Sequence, residues 1–380
     1  MVGNVYYGLS FAINPFIAKL SSSGATLWDH VPNSTKNQRF MDVAVDNESN
    51  VIAIGLGDNI TTLYDVIVAK YNASGKQLWN LTWDAGFGQD DEGHALVLDS
   101  NDSMYIAGWI TNVTSADYDP LLLKLNSTGD FQWIGAWHNN SGDDRFFDIT
   151  LDGNYLYLVG FTSSFGVGMV DVLLVKYDLQ GKMIWNVTWG GSQGDVGEGV
   201  AVDASHNIYV TGSTQSFGAG NQDAFLVKFN SAGVKLWNIT YGTGDNEFGY
   251  DLAVDNYGYI HLVGKAEQPG GGLPKYDGTY AIFDSSGAKI WDMTWGTVDG
   301  IESGNGIIIS ANEVYFTGPI WNASGNTYDA IVYRYRISLS EDGSPIPGFQ
   351  LSWVIFSVIF LLGLPLILVK SKKFHVTLWK

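Results

Sequence analysis

The chain of 380 residues contains no cysteine, and this absence excludes structural disulfides, cysteine-ligated zinc sites and thiol nucleophiles. Basic residues are also few, because 20 lysines and arginines stand against 39 aspartates and glutamates, for a net charge of −19. Such a surface repels phosphate groups, so nucleic acid is not expected as a partner. The 6 histidines share no spacing that is typical of a metal site.

Glycine and aromatic residues are abundant, and they recur at a fixed interval. The pattern runs from Lys70 through the turn residue Gly75 to Trp79, and versions of it occur six times. An aspartate that opens the unit returns every 52 or 54 residues, at Asp65, Asp119, Asp171, Asp223, Asp277 and Asp329. A constant period near fifty residues predicts a propeller or a solenoid.

One unit, residues 195–241, shows how the repeat is built. Its pattern predicts a tight hairpin of strands A and B, a longer loop, strand C, and a glycine turn into strand D. On strand D, alternation places Trp237 and Ile239 on one face and Asn238 on the other. Four antiparallel strands per unit favour a propeller blade over a solenoid coil.

The number of strands predicts the number of blades. Residues 1–338 contain 26 predicted strands, which make five complete blades and a partial blade at each end. The sequence therefore predicts an all-β propeller ectodomain over residues 1–338, with seven blades as the best fit and six or eight as alternatives.

The unit from Asp195 to Trp237 resembles the SBBP-type β-propeller repeat of bacterial and archaeal proteins. It combines Gly-Val-Ala-Val-Asp, Asn-Ile-Tyr-Val-Thr-Gly, Asp-Ala-Phe-Leu-Val-Lys and Gly-x-x-x-Trp in this order. The resemblance covers residues 1–338, and it implies a secreted or surface-anchored protein to which no reaction is assigned.

Sequons for N-glycosylation are in excess. Chance placement gives about three to four Asn-x-Ser/Thr sequences in a chain of this composition, and twelve occur. The excess predicts a glycosylated domain outside the cell. The candidate asparagines are Asn33, Asn47, Asn59, Asn72, Asn80, Asn101, Asn112, Asn126, Asn139, Asn186, Asn238 and Asn322.

The end of the chain predicts a membrane anchor. A short stalk at 339–348 leads to 349–369, which holds no charge and is long enough to span a bilayer as a helix. Lysines in the tail, 370–380, place the C-terminus in the cytoplasm and the propeller outside. Pro347-Gly348-Phe349, the apolar run and the lysines resemble the Pro-Gly-Phe sorting tail of archaeal surface proteins. In those proteins the tail is replaced by a lipid. Here residues 374–380 extend beyond the lysines, and this favours retention as a single-pass anchor.

The start of the chain shows no secretory signal, since no apolar run follows a basic start within residues 1–14. Export without a signal is not expected. We therefore expect the sequence to begin within a longer precursor or after a cleavage point.

A set of acidic residues recurs at the start of strand A in five units. Carboxylates that meet near a central channel would suit a hard cation such as Ca²⁺. The alternative is that each acid accepts backbone N–H groups and fixes the loop between two blades. The candidate residues for a cation or ligand site are Asp91, Asp144, Asp195, Glu247 and Glu302.

These features predict a binding, adhesion or envelope interaction module on the cell surface, with a glycan or an envelope protein as its partner. Two alternatives stay open. Gly-x-x-x-Trp resembles the tryptophan-docking motif of quinoprotein dehydrogenases, so a catalytic propeller that uses a quinone or acts on polysaccharide is the first. A purely structural envelope component is the second.

Overall fold

The computed structural model describes residues 2–6, 13–21, 24–31, 37–58, 63–86, 89–112, 114–135, 142–269, 275–297, 300–310, 313–322, 327–336, 338–339, 345–346 and 352–356. Every secondary-structure element among these described residues is a β-strand. The chain divides into two units, residues 1–218 with 224–240 and residues 219–223 with 241–380.

The first unit holds an N-terminal sheet of three antiparallel strands, β1 (Val2–Tyr6), β2 (Ile13–Leu20) and β3 (Thr26–His30). Four-stranded sheets follow, each with its strands side by side in chain order. Blade 1 consists of β4 (Gln38–Val45), β5 (Val51–Asp58), β6 (Tyr64–Tyr71) and β7 (Gln77–Trp83). Blade 2 consists of β8 (Asp91–Leu98), β9 (Met104–Thr111), β10 (Tyr118–Leu125) and β11 (Phe131–Ile134).

Blade 3 consists of β12 (Asp144–Asp152), β13 (Tyr155–Thr162), β14 (Asp171–Asp178) and β15 (Met183–Trp189). Blade 4 consists of β16 (Asp195–Val202), β17 (Ile208–Thr214), β18 (Asp223–Phe229) and β19 (Lys235–Tyr241). Of blade 4, only Asp223 and Tyr241 belong to the second unit.

The second unit holds two further sheets and a short hairpin. Blade 5 consists of β20 (Glu247–Val254), β21 (Ile260–Glu267), β22 (Tyr276–Phe283) and β23 (Lys289–Trp295). Blade 6 consists of β24 (Gly306–Ser310), β25 (Glu313–Asn322), β26 (Thr327–Arg336) and β29 (Ser352–Phe356). The hairpin pairs β27 (Ser338–Leu339) with β28 (Pro345–Ile346).

The described residues therefore form an all-β propeller fold with six four-stranded antiparallel blades. The prediction of seven blades is wrong, and six was one of the two alternatives. The strand count treated the incomplete sets at both ends of the chain as blades of their own. In the structure, the last set gains its fourth strand from Ser352–Phe356, and the first set is a sheet of three strands.

The predicted transmembrane helix at 349–369 needs a correction. Ser352–Phe356 form β29, which pairs with β26 from Ala330↔Phe356 to Arg334↔Ser352. A short apolar run with aromatic and β-branched residues fits a strand as well as a helix, and periodicity alone does not separate the two. Within the described part of the chain, no helix has the length and apolar character needed to cross a bilayer. Residues 357–380 lie outside the described residues.

The middle strands of blades 1 to 4 are buried on both faces, and this explains their continuous apolar sequences. Each of the seven residues of β17 is buried, as are those of β18. Neighbouring blades share their cores, since Val159 and Leu174 of blade 3 pack in one cluster with Val200 and Phe225 of blade 4. By contrast, the fourth strand of a blade alternates between exposed and partly buried residues, as in β15.

In blades 1 to 5, a glycine of the second strand lies opposite a bulge in the first strand. In blade 4, the register of β16 against β17 shifts between Gly197 and Gly199. This shift presses the carbonyl oxygen of Val196 onto Gly212, where an added Cβ atom would overlap that oxygen. The same overlap would arise at Gly55, Gly108, Gly160, Gly264 and Gly318.

The tryptophan of one blade packs on the turn glycine of the next blade. Gly181 has φ +82°, and a Cβ atom there would lie 2.9 Å from the ring of Trp133. Gly75 packs in the same way on Trp28, whose indole nitrogen donates to the carbonyl oxygen of Ala73 at 3.0 Å. The Gly-x-x-x-Trp pattern thus has a packing role between successive sheets, which accounts for it without a quinone.

Replacement of a bulge glycine tests this packing. Gly212→Ala should destabilise the protein by about 3 kcal/mol, because the new methyl group can be placed only by moving the backbone of β16. The midpoint of urea unfolding measures the loss. Gly244→Ala is the control, since no atom lies within 4 Å of its added Cβ. Equal stability of the two variants would contradict the close approach.

Candidate functional site

The five acids that the sequence selects are all buried. Four of them are the first residues of β8, β12, β16 and β20, and the fifth lies just before β24. The exposed fraction is 2% for Asp91, 0% for Asp144, 0% for Asp195, 4% for Glu247 and 0% for Glu302. Burial of a carboxylate is costly, so each must be compensated by hydrogen bonds, a proton or a cation.

Four of these acids lie beside the aspartate that opens the preceding unit. The pairs are Asp65 with Asp91, Asp171 with Asp195, Asp223 with Glu247, and Asp277 with Glu302. Asp119 and Asp144 are buried at the equivalent positions. The sequence showed both series of acidic residues, but it did not show that a residue of one series lies beside a residue of the other.

In three of these pairs, a glycine lies against both carboxyl groups. A Cβ atom on Gly190 would overlap Asp171 Oδ1 and lie 2.7 Å from Asp195 Oδ2. At Gly242 it would overlap Glu247 Oε2 and lie 2.6 Å from Asp223 Oδ1. Gly296 has the same position beside Asp277 and Glu302. Because a side chain would enter the space between two carboxylates, glycine is the residue that fits.

Hydrogen bonds satisfy Asp195 on both oxygens. Oδ2 accepts the N–H of Gly191 at 2.8 Å and the hydroxyl of Ser216 at 2.6 Å. Oδ1 accepts the hydroxyl of Thr214. Its neighbour Asp171 accepts the N–H groups of Val167 and Gly168 on Oδ2, at 2.8 and 2.9 Å, while Oδ1 is buried with no hydrogen-bond partner. The pair thus ties three loop segments to the strand ends.

The pKa values of two other members of the set are raised. Burial, with the charges of Asp84 and Asp65, raises the pKa of Asp91 to about 7. Burial, followed by the charges of Asp223 and Asp245, raises the pKa of Glu247. Its Oε2 is buried with no hydrogen-bond partner, whereas Oε1 accepts the hydroxyl of Thr243 at 2.6 Å. A proton on Glu247 Oε2 would face Asp223 Oδ1 and remove the repulsion between the two charges.

One group of the described residues brings three carboxylates together. Oxygens of Asp65, Asp84 and Asp91 all lie within 4.8 Å of one another, and Asp84 is exposed. Asp84 follows its strand at the position that Gly190 has in blade 3. Carboxylate oxygens from three side chains suit a hard cation such as Ca²⁺. The cation site that the sequence predicts stays a prediction.

A second series of aspartates was missed by the sequence reasoning. Asp42, Asp148 and Asp251 lie inside β4, β12 and β20, where an apolar strand gives no reason for a charge. Oδ2 of these residues accepts the N–H of Leu96 at 2.7 Å, of Val200 at 2.7 Å and of Ile307 at 2.8 Å. Each bond links the first strand of one blade to the first strand of the next. The signal in the sequence was that an aspartate recurs within the first strand of blades 1, 3 and 5.

In blades 1, 2, 4 and 5, an aspartate begins the turn between the first two strands and accepts N–H groups of that turn. Asp203 Oδ1 accepts the N–H of Ser205 at 2.8 Å and of Asn207 at 2.9 Å. Asp46 has the same role and also binds the ammonium group of Lys70 at 2.9 Å.

The sequons differ in their accessibility. Asn47, Asn80, Asn101, Asn186 and Asn238 are exposed, and Asn72, Asn112 and Asn126 are partly buried. Three amide nitrogens donate hydrogen bonds, from Asn47 to Ser100 O at 3.1 Å, from Asn112 to Asp119 Oδ2 at 2.9 Å and from Asn126 to Asp130 Oδ2 at 2.9 Å. Asn72 accepts the N–H of Lys76 at 2.9 Å in its turn. Asn33, Asn59 and Asn139, and the side chain of Asn322, lie outside the described residues.

Comparison with known proteins supports the repeat. Residues 189–218 match the family model of the SBBP β-propeller repeat, which confirms the resemblance for that part of the chain. The match includes Asp195, the residue Ser216 that donates a hydrogen bond to it, and the hairpin between them. An uncharacterized WD repeat-containing protein, L264 of Acanthamoeba polyphaga mimivirus, is 27% identical over 117 residues. That match covers 27% of this chain and 8% of the viral protein.

Two solved structures are similar to this chain at a low level. The β-propeller domain of the Trilobed protease from Pyrococcus furiosus has a TM-score of 0.46 and 10% identity, over 80% of this chain and 84% of that chain. An exo-1,5-alpha-L-arabinanase from a bovine ruminal metagenomic library has a TM-score of 0.37 and 12% identity, over 66% of this chain and 94% of that chain. Likenesses at this level carry no argument about activity.

The raised pKa values of Asp91, Asp144, Glu247 and Asp277 predict how stability depends on pH. The folded protein holds protons that the unfolded chain releases, so this stability is full below about pH 4 and is lost as the pH rises to about 7. The melting temperature should therefore fall by several degrees between about pH 5 and about pH 8.

Glu247→Gln isolates one carboxyl group in that pH response. The amide is neutral at all these pH values, so the variant should lose less stability than the natural chain and be more stable at about pH 8. Glu48→Gln, at an exposed turn residue, is the matched control. A melting temperature that rises with pH in the natural protein would contradict protonation of the buried acids.

Proposed function

We propose that this chain forms the outward-facing domain of a cell-surface protein and acts there as a binding or adhesion module. The observation that carries the proposal is a group of apolar side chains at the tips of two loops. Val167 and Met169, between β13 and β14, are 78% and 72% exposed, and Phe217, between β17 and β18, is 41% exposed. Exposed apolar side chains grouped on loops are typical of contact surfaces.

Hydrogen bonds hold these two loops in place. The segment that joins β15 to β16 lies between them, since Asp195 N donates to Val170 O at 2.9 Å and Gln215 N donates to Gly194 O at 2.9 Å. Asp171 and Asp195 fix the same loops through Gly168 and Ser216. A contact surface that is ordered before binding loses less entropy when a partner docks.

The chemistry of the loops suits an envelope component. Val167, Met169 and Phe217 offer apolar contacts without a positive charge, so a glycan face or an uncharged patch of an envelope protein is the partner that fits. The loops between second and third strands differ among blades, for example residues 112–117 and 268–275. Specificity would therefore come from the loops, on a scaffold whose other parts repeat.

The anchor is the second part of the proposal. The apolar run 349–369 and the lysines that follow it support a membrane span, and the sequons support exposure outside the cell. Residues 357–369 alone are too short to cross a bilayer. In a membrane, Ser352–Phe356 would therefore leave β26 and join the span.

Location is tested on intact producing cells with the full-length protein tagged at its C-terminus. We expect an added protease to digest the propeller while the tag stays protected, because the tag would face the cytoplasm. Alkaline washing should leave the tagged fragment in the membrane. A propeller that is cut only after cell lysis would contradict the proposal.

Binding is tested by placing charges on the loop tips. Val167→Asp with Met169→Asp should weaken attachment of the detergent-solubilised full-length protein to washed envelopes of the producing cells by about tenfold, because charge replaces apolar contact. The melting temperature should not change. Val234→Asp is the control, since Val234 is 57% exposed in the turn before β19. Attachment equal to that of the natural protein, or equal losses in variant and control, would contradict binding through these loops.

A further inference from the structure

The last strands of three blades present the same exposed face. Trp79 and Trp185 lie against the turn glycines Gly129 and Gly233 of the next blade, and Trp237 has the equivalent position in its strand. An aliphatic residue, an asparagine and a threonine alternate on the other face of these strands. The aliphatic residues are Leu78, Ile184 and Leu236, which are 48%, 45% and 50% exposed. In each strand the asparagine follows the aliphatic residue by two positions and so lies beside it.

These strands are also sheet edges. Among the described residues, β7, β15 and β19 each pair with one strand only, namely β6, β14 and β18. An open edge with exposed aliphatic side chains is a template for pairing with another chain, and proteins usually protect such edges with charge or cover. No lysine or arginine lies between the aliphatic residue and the threonine of these strands.

Three of the exposed sequons lie on these edges. Asn80, Asn186 and Asn238 begin Asn-Leu-Thr, Asn-Val-Thr and Asn-Ile-Thr, and all three are exposed. The amide nitrogen of Asn186 contacts the sulfur of Met183 at 3.6 Å, and Asn238 uses its oxygen to accept from Lys235 at 3.2 Å. By contrast, the amide nitrogens of Asn112 and Asn126 donate to carboxylates.

We propose that Asn80, Asn186 and Asn238 carry N-linked oligosaccharides that cover the neighbouring aliphatic side chains and the open strand edges. This inference rests on the proposed location outside the cell. The sugar comes from an oligosaccharide linked to a lipid through phosphate. A bond forms between the amide nitrogen and the anomeric carbon, the bond from that carbon to the phosphate oxygen breaks, and the amide loses a proton to a base. Nothing is oxidised or reduced.

Blade 5 shows the same face with a different protection. Ile290, Asp292 and Thr294 replace the aliphatic residue, asparagine and threonine, and Ile290 is 41% exposed. Asp292 pairs with the ammonium group of Lys289 at 2.9 Å. Charge covers this edge directly, so it has no need of a sugar.

Glycopeptide mass spectrometry of the full-length protein from its producing cells tests the assignment. Sugar is expected on the peptides of Asn80, Asn186 and Asn238, and not on those of Asn112 and Asn126. Asp292→Asn creates Asn-Met-Thr at the equivalent position of β23, so this variant should gain an oligosaccharide, whereas Asp292→Gln should not. Bare edge asparagines, or equal occupancy at Asn112 and Asn126, would overturn the inference.

The covering role has its own measurement. Replacing the three asparagines together with glutamine should raise self-association in solution, seen as larger species in sedimentation. Adding Leu78→Lys, Ile184→Lys and Leu236→Lys should restore the natural behaviour, because charge then protects the edges. Unchanged sedimentation of the triple glutamine variant would overturn the covering role. Protease cleavage on intact cells reports location separately, so a surface protein with bare asparagines would refute this inference alone.

Discussion

Four times along the chain the fold buries two acidic side chains beside each other, and much of the surrounding structure follows from this constraint. Glycine closes the pair at Gly190 and Gly242 because a side chain would occupy the space of the carboxylates. Backbone N–H groups, hydroxyls and protons compensate the buried charge. The hydrogen bonds that compensate the buried charge also order the loops at that end of the sheets.

This arrangement separates what repeats from what varies. Bulge glycines, tryptophans and acids serve contacts between successive sheets, so their recurrence reports architecture and not ligand chemistry. The features that differ among blades lie outside these contacts. Val167 and Met169 extend from a loop that Asp171 orders, and Asn186 lies on an open edge two residues from Ile184. Function is therefore sought on loop tips and edge strands.

The sequence predicted the blades well, because period, turn glycines and alternation are local signals. It could not show that Asp171 meets Asp195, since these residues begin strands of different sheets and nothing local links them. Asp148 was missed for the same reason, because its acceptor role involves Val200 in the next blade. Residues 352–356 were predicted as part of a helix because an apolar run satisfies either structure, and in the described part of the chain they pair with β26 as a strand.

Infrared spectroscopy of the full-length protein at about pH 6 tests the protonated pairs most directly, through the carbonyl stretch of neutral carboxylic acids. Burial raises the pKa of Asp91 to about 7, so this band should be present in the folded protein, weaken in Asp91→Asn and disappear on unfolding. Absence of the band from the folded protein would show that the buried acids are ionised, which would contradict protonation of Asp91.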